Sequence, residues 1–171
     1  MASFVTGTPF DDQIIGTTGN DYIVGAAGDD SIYALAGEDF AFGEQDDDFI
    51  TGDNDDDYIA GGSGNDRLLG GTGNDIVSGD GGDDQLQGGA DDDILSGGLG
   101  DDTVVGGVGD DVFLYTRGDG RDTLFDAYSN NWELVWRDDG DGTTVLDYQT
   151  GFTPQLDGTV TRDRDGAVIF D

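Results

Sequence analysis

Aspartate recurs every nine residues along most of this chain, at Asp12, Asp21, Asp30, Asp39, Asp48, Asp57, Asp66, Asp75, Asp84, Asp93, Asp102 and Asp111. Carboxylates do two kinds of chemistry. A pair of them can move protons, as in glycoside hydrolysis, or several can ligate a hard cation. The rest of the composition narrows the choice. The 171 residues include no His, Cys or Lys, so imidazole bases, thiol nucleophiles, Schiff-base lysines and His/Cys zinc sites are all absent. Hydrolysis needs two acids, whereas here twelve stand in one register, and every dense carboxylate cluster falls inside that register. Cation ligation is the better use of them.

The charge agrees. With 39 acidic residues against six Arg, the net charge is -33. Such a chain is repelled by nucleic acid and by anionic membrane surfaces, which leaves cations as the natural partners. No stretch approaches the roughly 20 apolar residues of a membrane span. The opening Met1-Ala-Ser-Phe-Val-Thr-Gly7 lacks the basic and apolar regions of a secretory signal peptide. Disulfides are impossible, so bound metal is the obvious source of stability.

The elements that position these aspartates are twelve nonapeptides, uninterrupted from Gly7 to Leu114. Gly61-Gly-Ser-Gly-Asn-Asp-Arg-Leu-Leu69 and Gly70-Gly-Thr-Gly-Asn-Asp-Ile-Val-Ser78 show the pattern most clearly. Asp holds position six and an apolar residue position eight in all twelve. Gly holds position one in eleven, with Ala34 the exception. This G-G-x-G-x-D-x-U-x pattern resembles the RTX (haemolysin-type calcium-binding) repeat, and it covers 108 of 171 residues.

The resemblance implies an all-β parallel β-roll, a two-sheet solenoid with 18 residues per coil. The first six residues of each repeat form a turn and the last three a short strand. Six coils spaced by the ~4.8 Å of strand pairing make a rod about 25 to 30 Å long. Position eight points inward and positions seven and nine outward. In the family each Ca²⁺ lies between loop n and loop n+2 on one edge, flanked by two sixth-position aspartates and completed by loop carbonyls. All twelve aspartates are therefore expected ligands. Asp66, Asp84 and Asp102 line one edge, and Asp75, Asp93 and Asp111 the other, with up to about ten ions in all. The resemblance also implies export by a type I secretion machinery and an extracellular location.

Several loops depart from the pattern. Repeat one, with Pro9 and Phe10, reads as a degenerate capping repeat. Ala34-Leu35 replaces the glycine pair of loop four, which puts sites using Asp39 in doubt. Asp46, Asp55 and Asp91 stand at position four, where they distort a loop or add a carboxylate. Position two is not Gly in seven repeats, so the best loops lie in the C-terminal half. Asp53-Asn-Asp-Asp-Asp57 is no EF-hand, because Tyr58 stands where that loop requires Gly.

Past Leu114 the period is expected to stop. Gly118 to Asp126 resembles the element that follows the last repeat in many RTX proteins. Trp132–Trp136, Thr143–Tyr148, Thr159–Arg162 and Ala167–Phe170 read as strands between Asp-Gly turns at 139, 141, 157 and 165. The chain thus divides into a calcium-binding roll, 1–114, and a small β-rich capping segment, 115–171. The ending Asp165-Gly-Ala-Val-Ile-Phe170 is similar to terminal motifs of type I secretion substrates, and an edge strand explains it as well.

The function expected from these features is a calcium-binding module, not an enzyme, that is disordered without Ca²⁺ and folds on binding it. The repeat block carries 27 acids against one base, Arg67, a net of -26. Such repulsion opposes a thin core. Alternatives are an adhesin or surface-assembly module, or the C-terminal part of a larger secreted enzyme. One sheet should also carry an outward apolar row, Tyr22, Phe40, Phe42, Tyr58, Ile76 and Ile94, suited to a protein partner or to self-association.

Overall fold

A single apolar residue every nine positions cannot bury itself within its own strand. It needs the same position of the next coil stacked above it. The computed structural model, which describes residues 3–114, 120–125, 127–128, 132–133, 135–138, 144–147, 161–162 and 168–169, shows that stacking. Strands β1 (Phe4–Thr6), β3 (Tyr22–Ala27), β5 (Phe40–Gln45), β7 (Tyr58–Ser63), β9 (Ile76–Gly81), β11 (Ile94–Leu99) and β13 (Val112–Leu114) form one parallel sheet in that order. Strands β2 (Gln13–Ile15), β4 (Ser31–Ala36), β6 (Phe49–Asn54), β8 (Arg67–Thr72), β10 (Gln85–Ala90) and β12 (Thr103–Val108) run through the facing sheet. Every pairing among the full-length strands joins residues 18 apart, such as Tyr58 with Ile76 and Leu68 with Leu86. The fold is a β-solenoid of about six turns, with no helix among the described residues.

The core is the inward ladder of position eight. Ile23, Ile32, Ile50, Ile59, Leu68 and Leu95 are completely buried, with Val77, Leu86 and Val104 alongside, and Phe113 and Leu124 pack against the end. It is one side chain thick on each sheet. The strands are longer than the three residues expected. From β3 to β12 each has six, running from position seven through position three of the next repeat. Pairing resumes at positions two and three after skipping position one, as where Ala26 meets Glu44. Only positions four to six remain for the turn, because in-register coils let nearly the whole backbone pair.

The outward faces follow the expected alternation. On the first sheet the rings of Phe4, Tyr22, Phe40 and Tyr58 stack in sequence, with centroids 5.4, 6.3 and 5.8 Å apart. Phe42 leans between Tyr22 and Tyr58. Phe40 is 48% exposed and Ile76 43%. The second sheet has Tyr33 against Phe49, with the Arg67 guanidinium 5.9 Å above the Phe49 ring.

Beyond Leu114, β14 (Thr123–Phe125) adds in parallel to β12 with Leu124 beside Val104. Further strands are β15 (Ala127–Tyr128), β16 (Trp132–Glu133), β17 (Val135–Asp138), β18 (Thr144–Asp147), β19 (Thr161–Arg162) and β20 (Val168–Ile169). Strand β17 runs antiparallel to β14, and β18 antiparallel to β17, so the second sheet reaches nine strands. This is the small C-terminal β cap, and it covers the otherwise open edge of β12. The Asp-Gly turns at 139, 141, 157 and 165, and most of the terminal 165–170 motif, lie outside the described residues.

Candidate metal centre

The sixth-position aspartates form two vertical ladders, one along each edge where the sheets meet. From Asp12 to Asp93, each backbone N–H donates to the Oδ1 of the aspartate 18 residues later. Asp48 donates to Asp66 at 2.8 Å, Asp57 to Asp75 at 2.9 Å, Asp66 to Asp84 at 2.8 Å and Asp75 to Asp93 at 2.9 Å. From Asp21 to Asp102 these side chains are at most 3% to 4% exposed. The ladder brings together all the residues expected from the sequence, loop n above loop n+2.

Only one oxygen of each carboxylate is served by this ladder. In Asp30, Asp39, Asp48, Asp57, Asp66, Asp75, Asp84, Asp93 and Asp111 the second oxygen, Oδ2, is buried and accepts no hydrogen bond from the protein. A buried, ionised oxygen left bare is costly. The same burial disfavours the ionised form. Burial, opposed by the ladder hydrogen bond and reinforced by like charges, pushes Asp39, Asp66 and Asp75 up to about 6. It pushes Asp48, Asp57, Asp84 and Asp93 up to about 7. For Asp48 the like charges are foremost Asp66 and Asp30, its own neighbours in the ladder, and then Asp29. Two chemical solutions exist, a proton or a cation.

The donor set fits a hard cation such as Ca²⁺, which takes six to eight oxygens. Among the described residues no three acidic side chains converge on one point, so backbone carbonyls would have to complete any shell. The loops suit that role. In all ten loops from the third to the twelfth, positions two and four both have positive φ, for example Gly71 at 128° and Gly73 at 123°. Glycine adopts a positive φ freely, and it takes the backbone out of the ordinary strand conformation at these positions. Position one is Gly for a different reason. A β-carbon on Gly70 would collide with Asp75 Oδ2 and lie 2.6 Å from the carbonyl oxygen of Gly88.

The irregular loops keep this form. Leu35 holds φ 89° in loop four, and Asp39 makes the same two ladder bonds as its neighbours, from Asp21 at 2.7 Å and to Asp57 at 2.8 Å. Asp46, Asp55 and Asp91 sit at 72°, 74° and 79°, so they do not distort their loops. Asp46 and Asp55 each reach across to the loop before them on the same edge, accepting from the N–H of Gly28 and Gly37 at 3.1 Å.

Loops one and two differ. Asp12 Oδ2 accepts from Thr8 N at 2.6 Å and Thr8 Oγ1 at 2.8 Å. Asp21 accepts from Thr17 N at 2.5 Å, Thr17 Oγ1 at 3.0 Å and Ser3 N at 2.8 Å. Burial raises the Asp21 carboxyl, and these hydrogen bonds, those from Thr17 foremost, bring it below its ordinary value.

One residue escaped the sequence reading. Asp122 is buried and its Oδ1 accepts from Asp102 N at 3.1 Å, so it continues the ladder as a thirteenth sixth-position aspartate. Two extra residues after Leu114 put it 20 positions from Asp102, off the nine-residue register. The signal was Gly120-Arg-Asp-Thr-Leu124, the end of a loop and the start of a strand. Arg121 holds the outer position-five place there, clasping Asp101 at 2.6 Å through Nη2.

A family model described as RTX calcium-binding nonapeptide repeat (4 copies) matches residues 6–41, 33–68, 42–77 and 78–113. No curated protein compared with the chain matches it.

Proposed function

We propose that this chain, which belongs to the RTX calcium-binding nonapeptide repeat family, is a module that folds when it binds calcium. The repeat array is a calcium-binding fold and is not catalytic by itself. The observation that carries the proposal is the row of buried, bare Oδ2 atoms on the sixth-position aspartates. Calcium, when bound, supplies positive charge to these oxygens. Asp30, Asp39, Asp48, Asp57, Asp66, Asp75, Asp84, Asp93, Asp102 and Asp111 would hold the ions, together with carbonyls of positions two and four.

Without the ion, the repeat block has a net charge of -26 around a core one side chain thick on each sheet. That repulsion and the entropy of ordering favour the unfolded chain, so metal binding becomes folding free energy. This suits export as an unfolded chain by a type I system, with folding in the calcium-rich exterior. The test is circular dichroism with calorimetric titration. Excess EDTA should give a coil spectrum and millimolar Ca²⁺ should restore β structure. Mg²⁺ should do so poorly, because it demands a smaller octahedral shell and sheds water reluctantly. A full β spectrum in EDTA at neutral pH refutes the proposal.

A second reading, an assembly module, draws support from the exposed row Tyr22, Phe40, Ile76 and Ile94, which carries no charge in a strongly acidic chain. Ultracentrifugation in Ca²⁺ tests it. A monomer at every concentration removes self-association from the list.

A further inference from the structure

The first two loops share the sixth-position aspartate with the rest, but not the loop around it. Thr8, Phe10, Thr17 and Gly19, at positions two and four, do not share the positive φ found at both positions in loops three to twelve. A side chain at position two does not by itself exclude the positive φ, since Ala26, Leu35, Glu44, Asp53 and Asp80 all adopt it, but the β-branched Thr8 and Thr17 disfavour it. What Thr8 and Thr17 bring is a pair of donors each, the backbone N–H and the hydroxyl, both aimed at the carboxylate of their own loop. Accordingly neither Asp12 nor Asp21 has the bare buried oxygen of the later loops.

We infer that Thr8 and Thr17 stand in for the ion, so that loops one and two form a calcium-independent cap on which the calcium-dependent part of the roll stacks. The inference rests on the calcium reading above and sharpens it. A carboxylate already served by two threonine donors, both on Oδ2 in Asp12 and one on each oxygen in Asp21, is a poor ligand, and its loop lacks the positive φ values of the others. Asp12 and Asp21 still serve the ladder, donating from their N–H groups to Asp30 and Asp39 at 2.8 and 2.7 Å. They give the first calcium-bound coil a template while using no metal. Of the ten loop pairs the twelve repeats allow, one–three and two–four are therefore not sites, and ions begin at the pair three–five.

The test counts bound Ca²⁺ by equilibrium dialysis on the full chain. Asp12→Asn with Asp21→Asn keeps one amide oxygen as an acceptor in each loop but removes the ligand charge. This variant should bind the same number of ions as the parent, whereas Asp75→Asn with Asp84→Asn should bind fewer. Loss of one or more ions from the Asp12/Asp21 variant overturns the inference while leaving the calcium reading intact. A parent that binds no calcium overturns both. If the Asp12/Asp21 variant fails to fold in excess Ca²⁺, Thr8→Gly with Thr17→Gly decides. Restoring the glycines should raise the count by one or two ions, and an unchanged or lower count refutes the role of the threonines.

Discussion

Acid should partly replace calcium. The perturbation is a pH titration from 8 to 5 in excess EDTA. Seven aspartates, Asp39, Asp48, Asp57, Asp66, Asp75, Asp84 and Asp93, have folded values of about 6 or 7, against an ordinary 3.8. The cause is first their burial and then the like charges around them. A carboxyl raised in the folded state opposes folding while it is ionised. That penalty is in full force above about pH 7, relieved as pH falls through the folded values, and gone below 3.8, where both states are protonated. Each proton the fold takes up contributes about 1.4 kcal/mol per pH unit. Since neighbours on one edge repel, protonating every second aspartate relieves most of the strain, which lowers the uptake to roughly three protons, or about 4 kcal/mol per pH unit. Over one or two pH units this rivals the ~5–15 kcal/mol stability of a whole domain. Far-UV circular dichroism should show β structure returning between pH 7 and 5, and potentiometry should show several protons taken up with it. Calcium affinity should fall over the same range, because proton and ion compete for the same oxygens. A spectrum unchanged by acid, or an uptake of one proton or fewer, would refute the reasoning.

Four substitutions probe the aspartate ladder, the loop glycines and the outward ring stack. Asp75→Ala removes the residue between Asp57 and Asp93 in the ladder, and calorimetry should show the loss of the ions on either side of it. Gly70→Ala pushes a methyl onto Asp75 Oδ2 and the Gly88 carbonyl, and should cost about 1–3 kcal/mol in urea unfolding with Ca²⁺. Ala34→Gly, the reverse change at the same position of loop four, should cost no more than about 1 kcal/mol. Phe40→Ala interrupts the ring stack between Tyr22 and Tyr58 and should destabilise the calcium-bound roll by about 1–3 kcal/mol without changing the number of ions.

Much of this protein is legible in its sequence because its period is legible. Apolar residues from Ile14 to Phe113 every nine positions require two inward ladders, and aspartates from Asp12 to Asp111 in fixed phase require two acidic edges. The residue types and the absence of His, Cys and Lys point to oxygen ligation. These are consequences of composition and spacing, which any strictly repeated unit imposes on its stacked copies.

Tertiary structure alone decided how each unit is satisfied. Whether an aspartate oxygen is bare depends on what lies beside it once the coils stack, so Asp12 and Asp75 look alike in sequence and differ in space. Loop four looked defective at Ala34-Leu35, yet Leu35, paired with Asp53 of the next coil, takes the left-handed region and Asp39 stays in line. Asp122 was hidden by a two-residue insertion that breaks a count along the chain but not a hydrogen bond across it. The strands reach six residues rather than three because pairing to the next coil, 18 residues away, continues past the glycine where the local pattern ends. Local spacing fixes which residues can face one another. The contacts between coils fix which of their oxygens are left without a hydrogen bond.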